Sequence, residues 1–288
     1  MTKGCFGITR GFTLAEVLLT IGVIGVVAAL VLPGLINNIE RKRIETQFVT
    51  ATNILANAVR AAEAEYGPAA EWDYSFSNNN FADSKMLAET YLMPYLNVAH
   101  VCSGNTAYTT TNNKNTCFGG RDSTGKKNMY FGANGYAVSA YSYGPDSGYM
   151  FLLKNGIGVL VNGTCNNYCY IKIIVDTDGP KGNSIAGRDV FMYTIGGNKD
   201  SWPTVTRTGF GPGGPWMNAS RHYYFSQFAS KTERDGGWNN CNPNATNASG
   251  AQNYGQNAIC ACGVDIALNN WKIPDYYPLK NIPKSPKN

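Results

Sequence analysis

Four hard-oxygen side chains lie close together in the sequence: Asp176, Asp178, Asn183 and Asp189. The first two alternate in Asp176-Thr177-Asp178-Gly179-Pro180-Lys181-Gly182-Asn183, and Gly187-Arg188-Asp189-Val190-Phe191 follows. Oxygens at alternate positions, with glycine bending the backbone between them, suit Ca²⁺, which takes six to eight oxygen ligands. The same residues also make tight turns, in which Asp and Asn side chains accept backbone amides. Lys181 and Arg188 work against a cation, so the turn network is the favoured expectation and Ca²⁺ a possible cofactor. A second chemistry belongs to the cysteines. Cys5 stands near the start, and Cys102, Cys117, Cys165, Cys169, Cys241, Cys260 and Cys262 make seven beyond it. In an oxidising compartment they are expected to pair. Short loops favour Cys102–Cys117 and Cys165–Cys169, and Cys241 can join Cys260 or Cys262, leaving one thiol over. A zinc site is the rival, but the Cys165/Cys169 and Cys260/Cys262 spacings match zinc-ligand pairs only in part.

A third feature is a carboxylate in an apolar setting. From Val17 to Ile36 there are 20 residues without a charge, and Glu16 stands just before them. At about 1.5 Å per residue that run is about 30 Å long, the hydrocarbon thickness of a bilayer. An intramembrane carboxylate is costly and needs a cation close by. A new amino terminus at Phe12 would supply one. Lys3 and Arg10 precede the run, which predicts a cytoplasmic N-terminus and an external remainder. A cleaved secretory signal fits poorly. The run exceeds the usual apolar length, and Pro33-Gly34-Leu35-Ile36-Asn37-Asn38 offers no small-residue cleavage pattern.

Catalysis finds little support. His100 and His222 stand without a nucleophile or acid at motif spacing, and phosphate loops, H-E-x-x-H and G-x-S-x-G are lacking. The chain is therefore expected not to be an enzyme. Its net charge of +5 is spread over only 15% charged residues, with Arg41-Lys42-Arg43 the one basic run, so bulk charge suggests no nucleic-acid groove. Four N-x-S/T sequons, at Asn162, Asn218, Asn244 and Asn247, are read as coincidence in an Asn-rich chain.

The elements that position these groups follow from periodicity. Ile44, Phe48, Ala51, Leu55, Ala58, Val59 and Ala62 recur at steps of three and four, predicting an amphipathic helix that continues the apolar run. Gly67-Pro68 stops it, and Pro33 is expected to kink it. A short helix is predicted over Ser84–Leu96. Strands are predicted over Met129–Phe131, Tyr136–Tyr141, Tyr149–Leu153, Ile157–Val161, Ile171–Val175 and Val190–Ile195. Lys154-Asn155-Gly156 is a hairpin turn signal. Short connections predict an antiparallel meander covered on one face by the helix. After Ile195 the Gly/Asn/Pro/Trp-rich chain shows almost no period and predicts long loops held by staples. The tail, Lys280 to Asn288, is expected to fray.

Arg10-Gly11-Phe12-Thr13-Leu14-Ala15-Glu16-Val17-Leu18-Leu19 resembles the processing site of type IV prepilins and type II secretion pseudopilins. The resemblance is strong from Arg10 to Gly67 and weaker to about Ile195. It implies cleavage between Gly11 and Phe12 by a prepilin peptidase, N-methylation of Phe12, and an assembly role for Glu16. There Glu16 would neutralise the Phe12 amine of a neighbouring subunit. It also implies an α+β pilin fold. A 1–11 leader precedes a transmembrane helix over 12–36 and an amphipathic helix over 37–66. A globular domain over 67–195 and a loop-rich, disulfide-stabilised region over 196–288 follow. The acidic loop at 176–189 likewise resembles one between late strands of pseudopilin-like domains. The implied partners are the peptidase, other pilin or pseudopilin subunits in a helical filament, an inner-membrane assembly platform and membrane lipids. The implied location is the bacterial inner membrane, then the pilus or pseudopilus. The glutamate favours a shaft or subterminal subunit over a tip. The alternative is a minor pilin whose C-terminal loops bind a surface, a glycan or DNA.

Overall fold

The computed structural model describes residues 11–73, 80–102, 117–119, 131–132, 135, 148–166, 168–196, 210–212, 241, 259–277 and 279–285. Helix α1 spans Leu14–Tyr66, 53 residues with Pro33 inside it. Two compact units meet within it, between Arg43 and Ile44. In the first unit no residue from 11 to 39 is buried, although the helix there is apolar and long enough to cross a membrane. In the second unit the same helix buries Ile44, Phe48, Ala51, Thr52, Leu55, Ala58, Val59 and Ala62. That stripe contains every position the three-and-four spacing predicts.

The second unit is α+β. Its sheet has six antiparallel strands in the order β1-β2-β3-β4-β5-β6. These are β1 (Val98–Val101), β2 (Tyr149–Leu153), β3 (Gly158–Asn166), β4 (Tyr168–Asp176), β5 (Val190–Ile195) and β6 (Phe210–Pro212). Sequential order follows from short connections. The Asn155-Gly156 turn links β2 to β3, with Gly156 at φ +91°, a left-handed setting in which other side chains are strained. Phe48 packs on Phe191 and Tyr193 of β5, with ring centroids 4.8 and 5.9 Å apart. Beside them, the Thr52 and Tyr193 hydroxyls are 2.8 Å apart. The Thr52 hydroxyl also donates to the Phe48 carbonyl, so Tyr193 is the donor between the two. Helix α2 (Phe81–Tyr91) lies against β2 and β3, and α3 (Ile259–Leu268) against β5 and β6.

The structure corrects several expectations. Helix α2 starts at Phe81 rather than Ser84, because the Asn80 side chain caps it by accepting the Ala82 and Asp83 amides. It ends at Tyr91, and Met93–Tyr95 around Pro94 forms a separate 3-10 turn. Strands β3 and β4 run longer than predicted and bring Cys165 and Cys169 opposite one another in register. Strand β1 was not foreseen. It is a short, exposed edge with a register shift between Val98 and His100, and so shows no alternation. The predicted strand at 136–141 lies outside the described residues, and of 129–131 only Phe131 is described, in an isolated bridge to Ile185. The region after Ile195 contributes more than loops. Val264, Ile266, Ile273, Tyr277, Leu279 and Ile282 are buried in the core. The tail is not frayed as far as residue 285, since Ile282 is 1% exposed.

Candidate assembly site and the acidic turn

Helix α1 begins with a reciprocal cap. Thr13 donates its amide at 2.8 Å and its hydroxyl at 2.9 Å to Glu16 Oε2, and the Glu16 amide donates back to Thr13 Oγ1 at 3.2 Å. This is a capping box: a threonine before the first turn and a glutamate three residues on satisfy each other's orphan groups. The T-x-x-E spacing of Thr13 and Glu16 is itself a sequence signature of this cap, separate from any charge-pairing role of the glutamate. Gly11 and Phe12 lie just ahead of the helix, with Phe12 89% exposed. The carboxylate that starts the helix therefore sits within a few residues of the expected cleavage point. Pro33 lies inside α1, which continues through it.

The acidic turn between β4 and β5 is built around Asp176, which is wholly buried. Its Oδ1 accepts the Asp178 and Gly179 amides at 3.3 and 3.0 Å. Its Oδ2 accepts the Ser184 hydroxyl and the Gly119 amide. Burial, and then the neighbouring Asp178 carboxylate, push the Asp176 carboxyl well above its ordinary range, while the Ser184 hydroxyl favours the ionised form. Asp189 Oδ2 accepts the Ile185 amide, and Asn183 Nδ2 donates outward to the Lys284 carbonyl at 2.8 Å. The four predicted Ca²⁺ ligands are thus distributed over a hydrogen-bonded turn. Among the described residues, the group that brings three candidate ligand atoms within 4.8 Å of one another is His100, Cys102 and Cys117. Two of these are already joined, because Cys102–Cys117 is a disulfide.

Cys241–Cys262 is also a disulfide, which selects Cys262 over Cys260. His222, Asn218, Asn244 and Asn247 lie outside the described residues. Asn162 is 1% exposed within β3, a poor glycan acceptor.

The same turn also anchors the C-terminal segment, which the sequence did not disclose. Arg188, 4% exposed, donates Nη2 to the Leu279 carbonyl at 2.9 Å. It also donates Nη2 and Nε to the Ile282 carbonyl at 2.8 and 3.1 Å. Tyr277 donates its hydroxyl to the Gly187 carbonyl at 2.7 Å. Gly187 has φ +82°, and a Cβ there would lie 2.7 Å from Cys262 Sγ and 2.9 Å from Ile282. Only glycine lets disulfide, turn and tail meet at that point.

Residues 34–281 match the model of a family of unknown function, DUF6613, and the chain belongs to that family. The match begins inside α1, after the prepilin-like motif. No curated protein and no solved structure matches the chain.

Proposed function

We propose that the chain is a structural subunit of a type IV pilus or type II secretion pseudopilus. It would be made as a precursor, cut between Gly11 and Phe12, and polymerised through its N-terminal helix. One observation carries this reading. The prepilin-like motif runs directly into a single helix that is apolar and exposed at first, then buried along a stripe against an antiparallel sheet. A bare apolar helix of that length needs lipid or neighbouring helices around it. In lipid, an unpaired Glu16 carboxylate is costly. Pairing with the Phe12 amine of a neighbour offsets that cost and fixes axial register as helices leave the bilayer for a filament core. The head supplies the outer surface, and no catalysis by the chain is invoked. The N-terminus of the chain isolated from cells with a prepilin peptidase tests the proposal. N-methylated Phe12 is expected. A surface-exposed chain still beginning at Met1 would overturn it.

A further inference from the structure

Strands β3 and β4 set Asn162 opposite Lys172, and β4 and β5 set Lys172 opposite Thr194. Directly opposed residues share one sheet face with Cβ atoms about 5 Å apart. An amide, an amine and a hydroxyl therefore form one cross-strand row. The row is sealed: Asn162 and Lys172 are each 1% exposed and Thr194 6%. Lysine is seldom buried so fully. A desolvated lysine amine is a recurring protein nucleophile, and a side-chain amide beside it is an acyl donor.

Two further contacts bear on Asn162. The Thr164 hydroxyl donates to Asn162 Oδ1 at 2.9 Å. That bond draws charge from the amide carbon and holds the oxygen on which charge grows during attack. The usual attacker on an Asn side chain followed by glycine is the next backbone amide, here Gly163 N. That N–H donates instead to Ser84 Oγ on α2 at 3.3 Å, which holds off the ordinary succinimide route.

We propose that the folded head closes an intramolecular isopeptide bond between Lys172 Nζ and Asn162 Cγ. The Nζ–Cγ bond forms and the Asn162 Cγ–Nδ2 bond breaks. The departing nitrogen leaves as ammonia with one proton from the lysine amine. No electrons change hands and no co-reactant is consumed. The product is an amide that fixes the β3–β4 register covalently. The inference rests on the β3–β4–β5 row and stands apart from the pilin proposal.

Intact mass of the full-length protein, purified in detergent, reduced and denatured, tests it. The chain's own N-terminus is read from the same spectrum. Wild type is expected to be lighter than its sequence by one ammonia. Fragmentation is expected to yield no separated products for backbone breaks between residues 162 and 172. Lys172→Arg and Asn162→Ala restore the full mass. Wild type at full mass overturns the proposal. So does an ammonia loss that persists in Lys172→Arg, which marks a succinimide. If neither variant folds, the wild-type mass and the position of the loss decide.

Discussion

The observed cap and the proposed assembly role of Glu16 separate chemically. As the third helical residue it accepts the Thr13 amide and hydroxyl, a role glutamine fills as well. As a carboxylate it is proposed to be the counter-charge for an amine, which glutamine cannot be. Glu16→Ala removes both and is expected to loosen the helix start, seen as faster amide exchange in the first turn. Glu16→Gln keeps the cap. Both variants should insert in the membrane and be cut after Gly11, and both should fail to enter filaments. Polymerisation of the Gln variant at the wild-type level would leave the cap as the residue's whole function. Asp176 poses a similar choice between ion and turn. Its oxygens already accept three backbone amides and the Ser184 hydroxyl. Adding Ca²⁺ should therefore leave Tm unchanged, whereas Asp176→Ala, which strands buried donors, should cost about 2–4 kcal/mol. A rise in Tm with Ca²⁺ that Asp176→Asn abolishes would reinstate the ion. Asp and Asn at these spacings encode both outcomes, so only burial and bond direction distinguish them.

At the scale of elements, α1 on the sheet is the contact that the sequence announced most clearly. Seven apolar residues at steps of three and four survive as the buried stripe because a long one-sided helix leaves a long one-sided pattern. Helix α3 was missed for the opposite reason. Ile259–Leu268 reads Ile-Cys-Ala-Cys-Gly-Val-Asp-Ile-Ala-Leu, which has almost no polar face to set a period, and it lies among glycine and asparagine. Strands β1 and β6 are four- and three-residue edges, too short for alternation to register. The α1–β5 contact carries a pH signature. Burial holds the Tyr193 phenol above its ordinary value of 10.0, so the folded head keeps that proton more tightly than the unfolded chain. Stability from this group is complete below pH 10.0 and is lost as pH rises above it. Tyr193→Phe should cost about 1 kcal/mol at neutral pH, through the lost Thr52 bond. It should also flatten the alkaline decline measured by denaturant titration at a series of pH values. Tyr277, raised in the same direction by burial, leaves a residual slope. The tail anchor makes a separate prediction. Arg188→Ala strands the carbonyls of Leu279 and Ile282 and should cost about 3 kcal/mol, with early proteolysis between residues 277 and 285. Arg188→Lys should recover only part of this, because an ammonium lacks the planar fork that bonds both carbonyls.

For the whole molecule, the boundary between the two units falls inside a helix, so the helix belongs to two environments. Before it, apolar side chains such as Leu18, Ile24 and Leu30 are exposed and await lipid or neighbours. After it, the helix is a layer of the head's core. Cutting the chain on either side of the buried stripe therefore has opposite consequences. A head beginning at Ile44 keeps the whole stripe, with both described disulfides and the sheet. It should be soluble and unfold cooperatively without detergent. A head beginning at Gly67 loses Ile44, Phe48, Leu55 and Val59, each fully buried or nearly so. At about 1.5–3 kcal/mol for each buried side chain, the loss is about 6–12 kcal/mol. That equals most or all of the 5–15 kcal/mol by which a domain is ordinarily stable. The bared face of β5, with Phe191 and Tyr193, would then meet water. The Gly67 head should aggregate or bind a hydrophobic dye, with a broad, non-cooperative melt. A sharp melt for that head, close to that of the longer one, would show that the sheet closes its core without the helix. The proposed division of α1 into an assembly half and a core half would then lose its energetic basis.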